Sequence, residues 1–153
     1  MPTALLSTAR KLLEGEPDAW DKRRAISTAY YALFHFLSLK CADSFVGPGD
    51  HGFGRARRQA YRSLDHSAVK AASVEANDPA REFPAGIVRF ASAFRQMQEL
   101  RHAAEYEEEF SLDAELTQRV IDEAEGAILA FDAESVGHQR AFVVLAALRK
   151  RSR

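Results

Sequence analysis

Arg101 is the residue whose position most needs explaining. Ile87, Phe90, Ala91, Phe94, Met97 and Leu100 recur at helical spacing. At about 100° per residue, Arg101 falls near the middle of the stripe they make. An arginine aimed at an apolar seam is costly unless it is paired, or unless the seam opens into a site or a subunit interface. Glu105, one turn on, is within reach to pair with it. A second chemistry is phosphate binding. Between Arg55 and Lys70, five cations (Arg55, Arg57, Arg58, Arg62 and Lys70) face one acid, Asp65, and Tyr61 among them is available for stacking. Beyond Arg140 the tail carries Arg149, Lys150, Arg151 and Arg153 with no acid. The same residues also read as solvated helix faces, and cations in a last turn suit the helix dipole. The opposite charge collects from Glu99 to Glu125, with ten acids against Arg101 and Arg119.

Other chemistry thins out under the same scrutiny. His35 stands in an aromatic helix and reads as a satisfied core or interface histidine rather than a base. Gly47-Pro48-Gly49-Asp50-His51-Gly52 contains G-x-G-x-x-G, but a helix precedes it where a dinucleotide fingerprint needs a strand. Asp50 and His51 lack a second pair at ligand spacing, so no metal site is expected. Cys41, inside an apolar helix, reads as core filler.

The elements that must position these residues are helical. The eight glycines and five prolines cluster at Gly15–Pro17, Gly47–Gly54, Pro79–Gly86 and Gly126–Gly137, leaving helix-length pieces between them. Strand alternation and hairpin turns are nearly absent. The pattern predicts helices at about 3–14, 18–45, 55–75, 83–108 and 112–134, with a shorter one at about 138–150. Asp18 and Ser111 are suited to cap the second and fifth, and Pro84 suits a first turn. The second helix, with Ala25, Ala29, Ala32, Leu33, Phe36 and Leu37 on one face and Tyr30, Phe34 and Cys41 widening it, reads as a central helix contacted on several sides. The expected fold is all-α, an up-and-down bundle of about five helices plus a short C-terminal helix. Residues 1–135 would form the bundle and 136–153 the C-terminal helix and basic tail.

Composition bounds the class. The chain has 153 residues, 46% hydrophobic and 28% charged, with 21 Lys and Arg against 22 Asp and Glu. A net charge of −1 excludes a polycationic nucleic-acid coat but not local patches. One cysteine excludes an intrachain disulfide and any zinc site built from several cysteines. No apolar run approaches the roughly 20 residues that cross a bilayer, and MPTALLSTARKLL lacks a secretory core. The expected location is cytoplasmic, with no membrane contact.

Two stretches together resemble the HEPN family of helical bundles, many of which act on RNA. Arg23-Arg24-Ala25-Ile26-Ser27-Thr28-Ala29-Tyr30-Tyr31-Ala32-Leu33-Phe34-His35 is similar to the family's R-x-A-x-x-x-A-Y-Y-A-x-F-H signature. Leu100-Arg101-His102-Ala103-Ala104-Glu105-Tyr106 is similar to the L-R-x-x-A-D-Y that ends a later helix in one branch. His51-Gly52 loosely resembles an H-x-G between them. The resemblance covers roughly residues 4–130, and the last twenty residues match no motif of the family.

The resemblance implies a homodimer in which two copies of a catalytic motif meet and cleave RNA without metal or cofactor. That motif is an arginine, a polar residue, three more positions, then histidine. Arg101 and His102 match its first two positions, but Tyr106 fills the histidine position. An ordinary tyrosine titrates near 10 and is a poor base at neutral pH, so the motif reads as degenerate. Glu105 replaces the usual aspartate. Arg95 with His102 satisfies the family's looser spacing, and residues seven apart lie on nearly one helix face about 10 Å apart, room for a phosphate between them. The family commonly sits beside minimal nucleotidyltransferases in prokaryotic toxin–antitoxin and defence operons, which implies such an antitoxin as partner and Tyr106 as its target. The leading expectation is therefore a module that binds RNA or a nucleotide, or docks a nucleotidyltransferase, with Arg57, Arg58 and Arg62 on phosphates. The alternatives are an active metal-independent endoribonuclease, with Arg101 or Arg95 stabilising charge on the phosphate and His102 as acid/base, and a structural adaptor whose basic face is ordinary surface. The structural reading of Arg101, Glu105 and Tyr106 is an interhelical ion pair with a tyrosine hydroxyl that locks the fourth helix to the second.

Overall fold

The second helix, α2 (Ala19–Phe45), is 27 residues long, about 40 Å at 1.5 Å per residue. In a computed structural model of the chain, which describes residues 2–49 and 52–148, the fold is assembled around it. Asp18 starts α2 with a reciprocal cap: its side chain accepts from the Asp21 amide at 2.8 Å, and Asp21 accepts from the Asp18 amide at 3.1 Å. Burial then runs almost round the helix, from Ala25 and Ile26 through Tyr30 and Leu33 to Leu37, Cys41 and Ala42. A helix buried on this many sides must be covered by several others.

Those covers are α1 (Pro2–Lys11), α3 (Gly54–Tyr61), α5 (Ala85–Tyr106), α6 (Ala114–Asp132) and α7 (Val136–Ala147), each packed on α2. The helix α4 (His66–Ala76) packs on α5 and α7, and a 3-10 turn at Pro79–Arg81 follows it. The described residues are thus all-helical, an α bundle with no strand, and no helix among them is long and apolar enough to cross a membrane. The centre is aromatic. Phe90 and Phe131 have ring centroids 5.0 Å apart, and Phe36 and Phe142 close around them. The last helix folds back into this core: Phe142, Val143 and Ala146 are buried in it, and the Gln139 amide donates to the carbonyls of Phe131, Asp132 and Glu134 at the end of α6.

Two expectations require correction. The helix predicted over 55–75 is two helices, because Asp65 takes an extended backbone and its carboxylate accepts from the Ala68 amide at 2.8 Å, capping α4 in place of continuing α3. Leu64, buried at the break, anchors the turn. The cap of α6 is Asp113 rather than Ser111, accepting from the Leu116 amide at 2.7 Å. Asp50, His51 and the basic tail from Arg149 to Arg153 lie outside the described residues.

Gly86 marks a close approach of α5 to the end of α6. Its amide donates to the Glu134 carboxylate at 2.9 Å, and a β-carbon there would collide with the Ala130 carbonyl. Overpacking of this kind costs about 1–3 kcal/mol. Gly86→Ala should therefore lower the urea midpoint of unfolding by a corresponding amount with an unchanged m-value, which equilibrium denaturation followed by circular dichroism will check.

Candidate nucleic-acid interface

The α5 stripe delivers Arg101 to the flank of α2, where it is half-buried with its side chain 22% exposed. Its Nε donates to Glu105 Oε1 at 3.1 Å, within the same helix. The guanidinium lies 5.1 Å from the ring centroids of both Tyr30 and Tyr31. A desolvated cation over two aromatic faces recovers part of its lost hydration. Ser27 donates to the same Glu105 oxygen at 3.2 Å, so the carboxylate ties α5 to α2. The ion pair is intrahelical, and the tyrosine contact across the helices comes from the rings of Tyr30 and Tyr31, not from Tyr106.

Behind Arg101 lies a histidine that sequence reasoning missed. Tyr30 and His66 Nδ1 are hydrogen-bonded at 2.5 Å, and His66 stacks on Phe34 with ring centroids 4.0 Å apart. Burial holds His66 below the ordinary histidine range, repulsion from Arg101 and His35 adds to this, and Asp65 opposes it. Burial likewise pushes the Tyr30 phenol up. The pair is therefore neutral near pH 7. Nothing in the local spacing marked His66; its partners Tyr30 and Phe34 come from α2, thirty-odd residues away. His35 is satisfied within the chain: its Nδ1 is hydrogen-bonded to the Tyr61 hydroxyl, and the two rings stack at 5.9 Å.

His102 and Tyr106 lie elsewhere on α5. Both are exposed, Tyr106 at 71%, and their rings face each other with centroids 4.9 Å apart. Among the described residues no hydrogen bond or ring contact joins either of them to Arg101. Arg95 is half-buried, with Nε buried and unpartnered, and no contact joins it to His102.

The basic segment divides by its partners. Arg57 is held inward, its guanidinium 2.6 Å from Asp43 and donating to the Gly47 carbonyl at 2.7 Å. Arg55, Arg58 and Arg62 are exposed and have no acidic partner among the described residues. Arg57, Arg58 and Tyr61 line a groove of about 520 Å³ between the end of α2 and α3, together with Ala42, Val46 and Phe53. A second groove of about 340 Å³ opens along the N-terminal half of α2, between Trp20, Arg24, Ser27, Tyr31 and Glu105. Arg23 builds its wall by donating to the carbonyls of Ala104, Glu107, Glu108 and Phe110, the free end of α5. Sequence reasoning missed Trp20 and Arg24. Their spacing to Tyr31 and His35 was visible, but the apolar residues around the rest of α2 hid it.

What fold and site define is an all-α bundle with a solvent-facing strip of aromatic and cationic side chains, walled by a half-buried arginine. No protein-family model, no curated protein and no solved structure matches the chain.

The His66 environment has a pH consequence. The unfolded chain takes up a proton near pH 6.5 that the folded chain resists, so stability present above that pH is lost as pH falls toward the folded value. Urea unfolding should show lower stability at about pH 5.5 than at about pH 7.5. The difference should shrink in His66→Gln, whose amide oxygen still accepts from Tyr30 but does not titrate.

Proposed function

We propose that this chain is a HEPN-type RNA-binding module with a degenerate catalytic motif, in which the open face of α3 contacts phosphates. The observation that carries this reading is the contrast between two sets of arginines. Arg101 is occupied by Glu105 and two tyrosine rings. Arg58 and Arg62 stand free beside Tyr61. Cations without acidic partners next to an aromatic ring suit a sequence-tolerant grip on a single strand. Arg57, turned inward to Asp43, supports the α3 fold in this reading rather than contacting phosphate itself.

The resemblance extends the proposal to a homodimer and to a nucleotidyltransferase-type partner in a toxin–antitoxin or defence system. The exposure of Tyr106, flanked by Glu105, Glu107, Glu108 and Glu109, supports its accessibility to such a partner.

The test is binding of a labelled single-stranded oligoribonucleotide in EDTA across a salt series. Affinity should fall steeply with salt. In Arg58→Glu/Arg62→Glu the slope of log affinity against log salt should shrink by roughly 1.4, two phosphate contacts at about 0.7 each. The RNA should emerge intact. Cleavage in EDTA that both Arg101→Ala and His102→Ala abolish would overturn the reading in favour of a metal-independent endoribonuclease. Salt-insensitive or absent binding would leave a structural adaptor.

A further inference from the structure

Along α2, Trp20, Arg24, Ser27, Tyr31 and His35 follow one another at steps of four, three, four and four residues. At 100° and 1.5 Å per residue these side chains fall within about 80° of the helix circumference and extend over about 22 Å. This is a sector of α2 that other helices leave partly uncovered: Trp20 is 71% exposed, Arg24 is exposed with no acidic partner among the described residues, and Ser27, Tyr31 and His35 are half-buried. Arg101 and Glu105 wall one edge. At the far end His35 meets Tyr61, which leads into the α3 groove with Arg58 and with Phe53 at 61% exposure. The two grooves are thus the ends of one path, joined by the Tyr31–His35–Tyr61 rings.

We propose that a single strand of RNA lies along this path, from the α3 groove to Trp20, with bases stacked at Phe53, Tyr31 and Trp20 and phosphates on Arg58 and Arg24. The inference rests on the RNA-binding reading of α3 and adds to it the ligand form, its length and its orientation. Aromatic platforms interleaved with cations are what a strand without a complement requires, since every base has a face to stack and every nucleotide a phosphate to neutralise. A duplex hides those faces. At 3.4 Å per phosphate in a stacked strand, and about twice that when extended, 22 Å on α2 holds roughly three to six nucleotides. Orientation follows from Glu105. Its carboxylate repels phosphate and accepts from amino groups, so the base edges face α5 while the backbone runs along the Arg24 edge. An exocyclic amino group, as on cytosine, is the complement of such an acceptor.

Trp20 is the sole tryptophan and therefore a built-in reporter. Titration of the full chain with oligocytidines of three, six and nine nucleotides at low salt should quench Trp20 emission strongly only for strands long enough to reach it from α3. Oligocytidine should bind more tightly than oligouridine, and duplex RNA more weakly than either. Loss of one stacking platform in Trp20→Ala should weaken hexamer binding on the order of tenfold. The residue is exposed, and an unchanged thermal melt will show that the variant folds.

Four results would overturn the path. If Arg58→Glu/Arg62→Glu weakens binding while Trp20 emission and Trp20→Ala affinity do not respond, the α3 reading stands and the path is wrong. If no oligonucleotide binds, the α3 reading fails and takes the path with it. Equal binding of duplex and single strand would overturn the single-strand assignment. Conversion of a dimer to a monomer by Trp20→Ala in sedimentation would make the strip a subunit interface.

Discussion

The guanidinium of Arg101 over the rings of Tyr30 and Tyr31 is the contact through which three helices are set relative to one another. Removing a cation from water is expensive, and the seam between α2 and α5 would be simpler to close with an aliphatic side chain. What the arginine brings is direction. Glu105 fixes the guanidinium along α5, the two rings fix it across to α2, and Tyr30 passes the constraint to His66 at the start of α4. An aliphatic residue would fill the volume and specify none of these relations. Burial first, and the positive charge of Arg101 after it, hold the neighbouring imidazole below its ordinary range.

Net charge hides how unevenly charge is distributed, and the unevenness arises from pairing. The acids of α6 are largely matched: Asp122 and Glu125 with Arg10, Glu123 with Arg89, Asp132 with Lys40. The cations of α3 are not, apart from Arg57. A linear count of ten acids over Glu99–Glu125 therefore overstates the negative field of that side. The count of five cations over Arg55–Lys70 is closer to what solvent meets, because α3 has no buried residue and packs chiefly on α2. Exposed pairs of this sort contribute little to stability. Their consequence is to leave one face of the bundle with unmatched positive charge.

Much of this was legible in the chain and some was not, for physical reasons. The cap at Asp18, the central place of α2 and the anomaly of Arg101 all follow from local pattern: a capping carboxylate, apolar residues round the helix, a charge within a stripe. The break before α4 was not legible, because Asp65 reads equally as a solvated acid on a longer helix; its capping role depends on Leu64 finding a place in the core. The fate of Arg57 depends on Asp43, fourteen residues back on another helix. No spacing rule reaches across the turn between them. His66 belongs to the same kind, since burial by side chains distant in sequence is what gives it its character.

The sequence pattern that resembles a nuclease motif also reads differently once the helix is built. Residues one apart on a helix differ by about 100°, so Arg101 and His102 cannot both face the same seam. With Arg101 directed at α2, His102 is turned to solvent, and Tyr106, one turn further, meets it in a tilted ring contact. A histidine in place of Tyr106 would occupy that same outer face. Chemistry by such a motif therefore requires something to bring a second set of groups to the outer face of α5, and within one chain the inner and outer faces serve separate ends. The inner face orders the bundle. The outer face is exposed and acidic around Tyr106, and the unmatched cations lie on α2 and α3.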